Sequence, residues 1–188
     1  MELAQLIKER RTVNAYEDRP VSVELVKELL DTAMWAPNHR MTQPFRFILT
    51  VGDGRKRLAE VSRNVAKKKE KDPDLREKAG EAGYQKLMGS PVLLTVVMKE
   101  DPNLGIREED YATASCVIQN LHLLALEKEL GMAWKTPAYI LQSDFREAIG
   151  VEPGEKIVGL VHLGYPAKIP PAKTRKPLDE LLTIIDHE

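Results

Sequence analysis

Apolar positions recur along the chain at two periods, and each period marks a class of element. Leu3, Leu6 and Ile7 share one face at helical spacing, which predicts a helix over residues 2–10. Val26, Leu29, Leu30 and Ala33 repeat at i, i+3, i+4 and i+7, a core-facing stripe. Ser22 is placed to cap that helix, Glu24 suits its positive end, and Pro37 stops it. Residues 55–70 predict a helix with Leu58, Val61 and Val65 inward, and a second polar helix follows over 74–88. The charged run from Lys67 to Pro73 between them reads as an exposed, mobile loop. The longest helix is expected over 107–130. Its apolar residues point nearly all round between Tyr111 and Leu126, so it is expected to be central and buried, with Gly131 at C′. Asp144 is expected to cap a small helix to Ile149, and Leu178, Leu181, Leu182 and Ile185 predict a short final helix.

The strands are shorter apolar stretches. Phe45 to Val51 is one, closed by the turn Gly52-Asp53-Gly54. Pro91 to Met98 is continuously apolar, the mark of a strand covered on both faces. Met132 to Lys135 and Lys156 to Gly164 complete the set. Thr12 to Pro20 and the tail with Pro166, Pro170, Pro171 and Pro177 are expected to run extended. With no internal repeat and no linker, residues 1–188 read as a single α+β domain with helices on both faces of its strands.

Composition narrows the partners. The 28 Lys+Arg and 29 Asp+Glu nearly cancel, so no global attraction to nucleic acid or an anionic membrane is expected. The apolar fraction of 43% is that of an ordinary folded domain. The one cysteine, Cys116, excludes an intrachain disulfide. The opening residues lack an export signal and no apolar run is long enough for a membrane span, so a cytosolic location is the expectation.

Most familiar chemistry is absent. The histidines at 39, 122, 162 and 187 have no metal-ligand spacing, and neither a Gly-x-Ser-x-Gly elbow nor a Walker loop occurs. Gly52-Asp53-Gly54 lacks the third glycine and the acidic residue of a dinucleotide loop, and reads as a plain strand-to-helix turn. Cys116 reads as a small core residue and His122 as structural, while His162, alternating with apolar residues, is expected to face solvent or a partner subunit. Tyr111 reads as a core aromatic. Trp35, beside the Pro37 turn, fits either packing or the lining of a site. Two basic clusters stand out: Arg10-Arg11 followed by Thr12, and Lys173, Arg175 and Lys176 in the proline-rich tail. Such clusters are usually solvated charge. Two arginines and a hydroxyl also supply the multiple charge-assisted donors that a phosphate needs.

The order of these features resembles a known family. Arg10-Arg11-Thr12-Val13-Asn14-Ala15-Tyr16 is followed by a Pro-Val-Ser-x-Glu-x-Val-x-x-Leu-Leu helix. Ala36-Pro37-Asn38-His39 and Gln43-Pro44-Phe45-Arg46-Phe47 come next, then Glu129-Leu130-Gly131-Met132 with Trp134-Lys135-Thr136. Ile157 to Pro166 and Lys173-Thr174-Arg175 close the set. The chain thus resembles the FMN-dependent nitroreductase family over nearly its whole length, and its compact branch in particular. The resemblance implies an α+β fold of three layers, α/β/α. Its central sheet is mainly antiparallel, and a C-terminal segment reaches the partner subunit.

The same resemblance implies a homodimer with two FMN sites at the interface. NAD(P)H would reduce the flavin, and an electron-poor small molecule, such as a nitroaromatic or a quinone, would then take the electrons in a two-electron ping-pong cycle. In that scheme the cofactor carries the chemistry, so no catalytic acid, base or nucleophile is named. By the resemblance, Arg10, Arg11 and Thr12 bind the phosphate and ribityl end, and Lys173 and Arg175 add phosphate contacts. Trp35, His39 and Gln43 line the isoalloxazine or ribityl region, and Trp134, Lys135 and Thr136 come from the other subunit. Asn14 stands near the flavin N1–O2 edge, where family members commonly carry Arg or Lys. Its lack of charge should disfavour reduction of the flavin unless Lys135 or another cation substitutes. That departure is also the best support for an alternative: a flavin-binding sensor or carrier without turnover.

Overall fold

The computed structural model describes residues 2–186; His187 lies outside them. In chain order the elements are α1 (Leu3–Glu9), β1 (Ala15–Tyr16), α2 (Val23–Ala33), β2 (Phe45–Val51), α3 (Gly54–Lys69) and α4 (Arg76–Met88). Then follow β3 (Val92–Lys99), α5 (Leu104–Glu127), β4 (Gly131–Lys135), α6 (Ser143–Ala148), β5 (Glu155–Gly164) and β6 (Pro166–Lys168). The main sheet is antiparallel throughout, in the order β2-β3-β5-β4, and a small sheet pairs β1 with β6.

Alternation along the sheet divides the core in two. Val92, Leu94, Val96 and Met98 of β3 face α2 and α5, together with Val158, Val161 and Leu163 of β5. Leu93 and Val97 face the other way, with Ile157 and Leu160, onto α3, α4 and α6. The continuous apolar run of β3 therefore reflects a sheet covered on both faces, and the three-layer α/β/α arrangement is as expected. In β5 the pairing register shifts between Val96 and Val97 of its neighbour. There Gly159 leaves room for the Trp134 ring, and the indole N–H donates to the Val158 carbonyl at 3.2 Å.

Several helix ends follow the sequence. The Ser22 hydroxyl accepts from the Leu25 N–H at 3.1 Å, and the stripe from Val26 to Ala33 is buried. Others depart from it. α5 ends at Glu127, not Leu130, and the left-handed residue is Glu129, with φ of +61°. The Leu130 N–H closes the end by donating to Ala125 O at 2.8 Å, a Schellman arrangement. Gly131 is therefore not the cap but the first residue of β4. Its hydrogen side chain has a different purpose, because a Cβ there would lie 2.8 Å from the Val13 side chain.

α5 is also not buried all round. Leu104 is 68% exposed and Cys116 is exposed, so the cysteine is not the core residue expected. Tyr111 is half-buried, with the Lys156 ammonium 4.6 Å from its ring centre. Lys67 to Lys69 belong to the last turn of α3 instead of a mobile loop, and Lys67 pairs with Glu77 of α4 at 2.6 Å. Asp144 sits in the first turn of α6, whose N-cap is Gln142. The final helix is reduced to one 3-10 turn at Leu178–Glu180. Its apolar stripe finds no surface of this chain to cover, and a short helix without docking is marginal. Leu178, Leu181, Leu182 and Ile185 are all exposed.

Gly131→Ala should force Val13 off β4 and destabilise the fold by about 1–3 kcal/mol, the usual cost of overpacking. Urea unfolding of the variant measures it, and an unchanged midpoint would contradict the close approach.

Candidate functional site

α1 ends where the Arg10 N–H donates to Leu6 O at 2.9 Å, and the chain then turns onto the free edge of β4. Thr12 forms a parallel bridge with Met132, and the Val13 N–H donates to Met132 O at 3.0 Å. Extended backbone alternates its side chains. Val13 is therefore buried against Gly131, while Thr12 and Asn14 stay exposed. The register Ala15↔Lys168 and Tyr16↔Pro166 then ties the C-terminal tail to the same segment. As a result Lys173 and Arg175 return beside Arg10, Arg11, Thr12 and Asn14, lining one cleft of about 650 Å³. Six of the expected site residues thus meet within one chain. Lys8 joins them, a residue that sequence reasoning missed in the last turn of α1.

This cleft is strongly cationic. Its lining carries five cations (Lys8, Arg10, Arg11, Lys173 and Arg175) and no carboxylate. Arg11 turns one guanidinium nitrogen back to the end of α1, donating to Lys8 O at 2.7 Å and Arg10 O at 2.8 Å. Arg175 donates to Lys173 O at 3.2 Å, which curls the tail locally. Arg10 Nη1 lies 3.4 Å from His122 Nδ1, and His122 Nε2 lies 3.1 Å from Arg11 O. His122 is buried on α5. Burial first, and the Arg10 charge second, push its pKa from 6.5 down to about 4. A second, mainly apolar hollow of about 530 Å³ adjoins the cleft, sharing Arg10 and Arg11 and lined by His122, Leu126 and Leu130.

Trp35, His39 and Gln43 lie elsewhere on the chain, in the connection between α2 and β2. Trp35 is 88% exposed, so it is not packing inside this chain. The loop is strained: Arg40, Met41 and Gln43 all take positive φ, at 60°, 51° and 43°. Such conformations cost about 1–3 kcal/mol each and collect at functional sites. A network missed in the sequence holds them. Asn38 Oδ1 accepts from the Gln43 N–H at 2.7 Å, and its amide donates to Thr42 Oγ1 at 2.9 Å. The Thr42 hydroxyl donates to buried Asp110 at 2.6 Å, and His39 Nδ1 lies 2.7 Å from Glu109. The loop is therefore pinned near the start of α5, whereas Arg10 touches it at His122. These stations are roughly 18 Å apart at 1.5 Å of rise per residue.

Trp134, Lys135 and Thr136 continue β4 just past Met132, on the strand along which Thr12 and Val13 of the same chain run. Trp134 is half-buried over Gly159, Thr136 is exposed, and Lys135 is half-buried, its pKa lowered by burial first and by Lys86 second. His162 does not face solvent or a partner as expected. It is 1% exposed, and its Nε2 has no hydrogen-bond partner among the described residues. Burial, then the charges of Lys135 and Lys86, push its pKa down to about 3. Among the described residues no cluster could hold a metal ion, and no helix is long and apolar enough to cross a membrane.

The α/β/α fold is shared with known proteins. The Nitroreductase family profile matches residues 7–165. The Bacillus subtilis (strain 168) protein named "Putative NAD(P)H nitroreductase YfhC" is 34% identical over 182 residues, 96% of this chain and 93% of that one. A nitroreductase-like family protein from Bacillus cereus is 37% identical, with a TM-score of 0.90 over 100% of this chain and 97% of its own. A protein from Desulfovibrio desulfuricans, crystallised in complex with FMN, is 25% identical, with a TM-score of 0.74 over 100% of this chain and 99% of its own. The chain belongs to the nitroreductase family.

The two buried histidines set a pH dependence of stability. Each stays neutral in the fold well below the 6.5 at which it titrates when unfolded, so below that value the unfolded chain binds more protons. Stability should fall as pH drops from about 6.5 towards 4, by about 1 kcal/mol per histidine per pH unit. Urea unfolding at about pH 6 and 5, with His122→Gln as control, measures this. A flat profile in the parent chain would contradict the burial of both rings.

Proposed function

We propose that this chain is an FMN-dependent NAD(P)H oxidoreductase that reduces electron-poor acceptors such as nitroaromatics or quinones. The observation that carries this is the convergence of Arg10, Arg11, Thr12, Lys173 and Arg175 on one cleft. The β1–β6 pairing brings two distant stretches of chain together there, and the donor set they assemble fits the phosphate of FMN. The name of the YfhC relative, and the FMN of the Desulfovibrio structure, point the same way. When bound, FMN would supply the redox chemistry, taking electrons from NAD(P)H and passing them to the acceptor in a ping-pong cycle.

The chain's own residues then bind and orient. Arg10, Arg11, Lys173 and Arg175 neutralise the phosphate, and Thr12 donates a hydroxyl. Asn14 at the cleft adds no charge, so any cation for the reduced flavin must come from another residue, such as Lys135. Trp35, His39 and Gln43 lie too far along α5 to join this cleft in one chain. We assign them to the partner of a homodimer, whose two-fold symmetry would set this loop against the other copy's cleft. The bridge between Thr12 and Met132 supports assigning Trp134, Lys135 and Thr136 to the same chain as Arg10 in this scheme. Exposed Leu178, Leu181, Leu182 and Ile185 support a tail that reaches across to the second copy. Residues 1–188 act as one domain in this scheme. The exposed free thiol of Cys116 suits the reducing cytosol.

Initial rates of NAD(P)H oxidation with menadione or nitrobenzene should give parallel double-reciprocal lines. Tight FMN binding with no turnover would favour the sensor or carrier. Arg10→Ala should weaken FMN binding by about 1.5–3 kcal/mol, the worth of a hydrogen bond to a charged group. Unchanged affinity in a fluorescence titration would contradict the phosphate assignment.

A further inference from the structure

Among the described residues, His122 is the imidazole that touches Arg10 of the cleft, from the adjoining hollow. It projects from α5 between Leu121 and Ala125, which are 1% and 0% exposed, so the ring is fixed in a rigid wall. Its two nitrogens meet two different parts of the same turn. Nε2 lies 3.1 Å from the Arg11 carbonyl, which can only accept, so Nε2 carries the proton. Nδ1 is then a bare lone pair, and it lies 3.4 Å from a guanidinium N–H of Arg10. A single ring thus holds the main-chain bend after Arg11 and the head of Arg10 at once. Arg10 has five N–H donors in a rigid plane, so fixing one leaves four aimed by that plane.

We propose that His122 is a positioning residue of the FMN site, holding the Arg10 guanidinium in the plane that meets the phosphate. This rests on the reading of the cleft as the phosphate site. Left free, Arg10 would have to be ordered when the ligand binds, and long side chains lose most freedom in that step. The ring stays neutral while doing this, because burial and the neighbouring Arg10 charge hold its pKa down to about 4. A charged ring would repel the guanidinium it holds and lose its acceptor. Glu9 and Glu129 are the acidic residues that line the adjoining hollow. Neither offers the fixed, uncharged acceptor that the imidazole does.

The role can be separated from simple packing, because it acts only through the phosphate. His122→Phe keeps the ring volume and loses both contacts, whereas His122→Gln keeps an acceptor and a donor at similar spacing. Apo-protein is titrated with FMN and with riboflavin, which lacks the phosphate. His122→Phe should weaken FMN about tenfold and riboflavin by less than about twofold. His122→Gln should restore most of the FMN affinity. Combined with Arg10→Ala, His122→Phe should add no further loss, since both act on one contact. Equal weakening of both ligands, or full additivity in the double variant, would overturn the proposal. Nitrogen NMR of the unmutated chain near neutral pH gives a test independent of any variant's folding. A proton on Nε2 with Nδ1 bare supports the role, and a proton on Nδ1 overturns it. Arg10→Ala keeps the two levels apart. If it leaves FMN affinity unchanged, the phosphate reading itself fails. If it weakens FMN while His122→Phe does not, only the role of His122 fails.

Discussion

The site hangs on one close approach, that of Val13 to Gly131 at the edge of β4. The contact has no room for a Cβ, and it is locked by the Val13 N–H on Met132 O and the bridge at Thr12. Once Val13 points inward, the alternation of an extended chain turns Thr12 and Asn14 outward. The bend just before it lifts Arg10 and Arg11 off the end of α1. Two residues further on, β1 takes up β6 and draws the proline-rich tail past the same spot. A cationic cleft between residues near 10 and residues near 173 therefore follows from a backbone packing constraint. The arginines did not have to find each other.

α5 supplies the second constraint. It is a rigid rod that carries the strained loop of Asn38 to Gln43 near its start and the Arg10 clamp near its far end. One chain cannot bring the two together, because the rod does not bend. Strain in that loop is sustained by the hydrogen bonds of Asn38, Thr42 and buried Asp110, which suits a segment shaped for something outside its own chain. Apolar side chains on α1, α5 and the tail are also left bare by this chain, which fits the proposed homodimer.

Much of the fold was legible in the sequence where one face alone decides burial. The α2 stripe, the continuous run of β3 and the strand before Gly52 each lie where their periods place them. Legibility failed where this chain leaves an apolar position exposed. Cys116 is exposed on α5 but stands in sequence beside the buried Val117 and Ile118, so it read as buried. The stripe from Leu178 to Ile185 read as a helix that this chain never docks. Gly131 failed differently. It follows a helix and so looked like a cap, but Glu129 takes the left-handed residue and the glycine admits Val13. Of the candidate site, both basic clusters were visible as charges, but their meeting was not, since β1–β6 pairing brings it about. His122 was beyond reach, because its partners lie more than a hundred residues away.

The claim that unites these points is that the cleft exists to hold a redox flavin. A visible spectrum of the purified protein, saturated with FMN and recorded without oxygen before and after NAD(P)H, tests it most directly. The account predicts a protein-bound flavin band that bleaches on adding NAD(P)H and returns on adding a nitroaromatic or quinone. A protein that stays colourless after FMN is added and excess removed, or a bound flavin that NAD(P)H leaves unchanged, would contradict it.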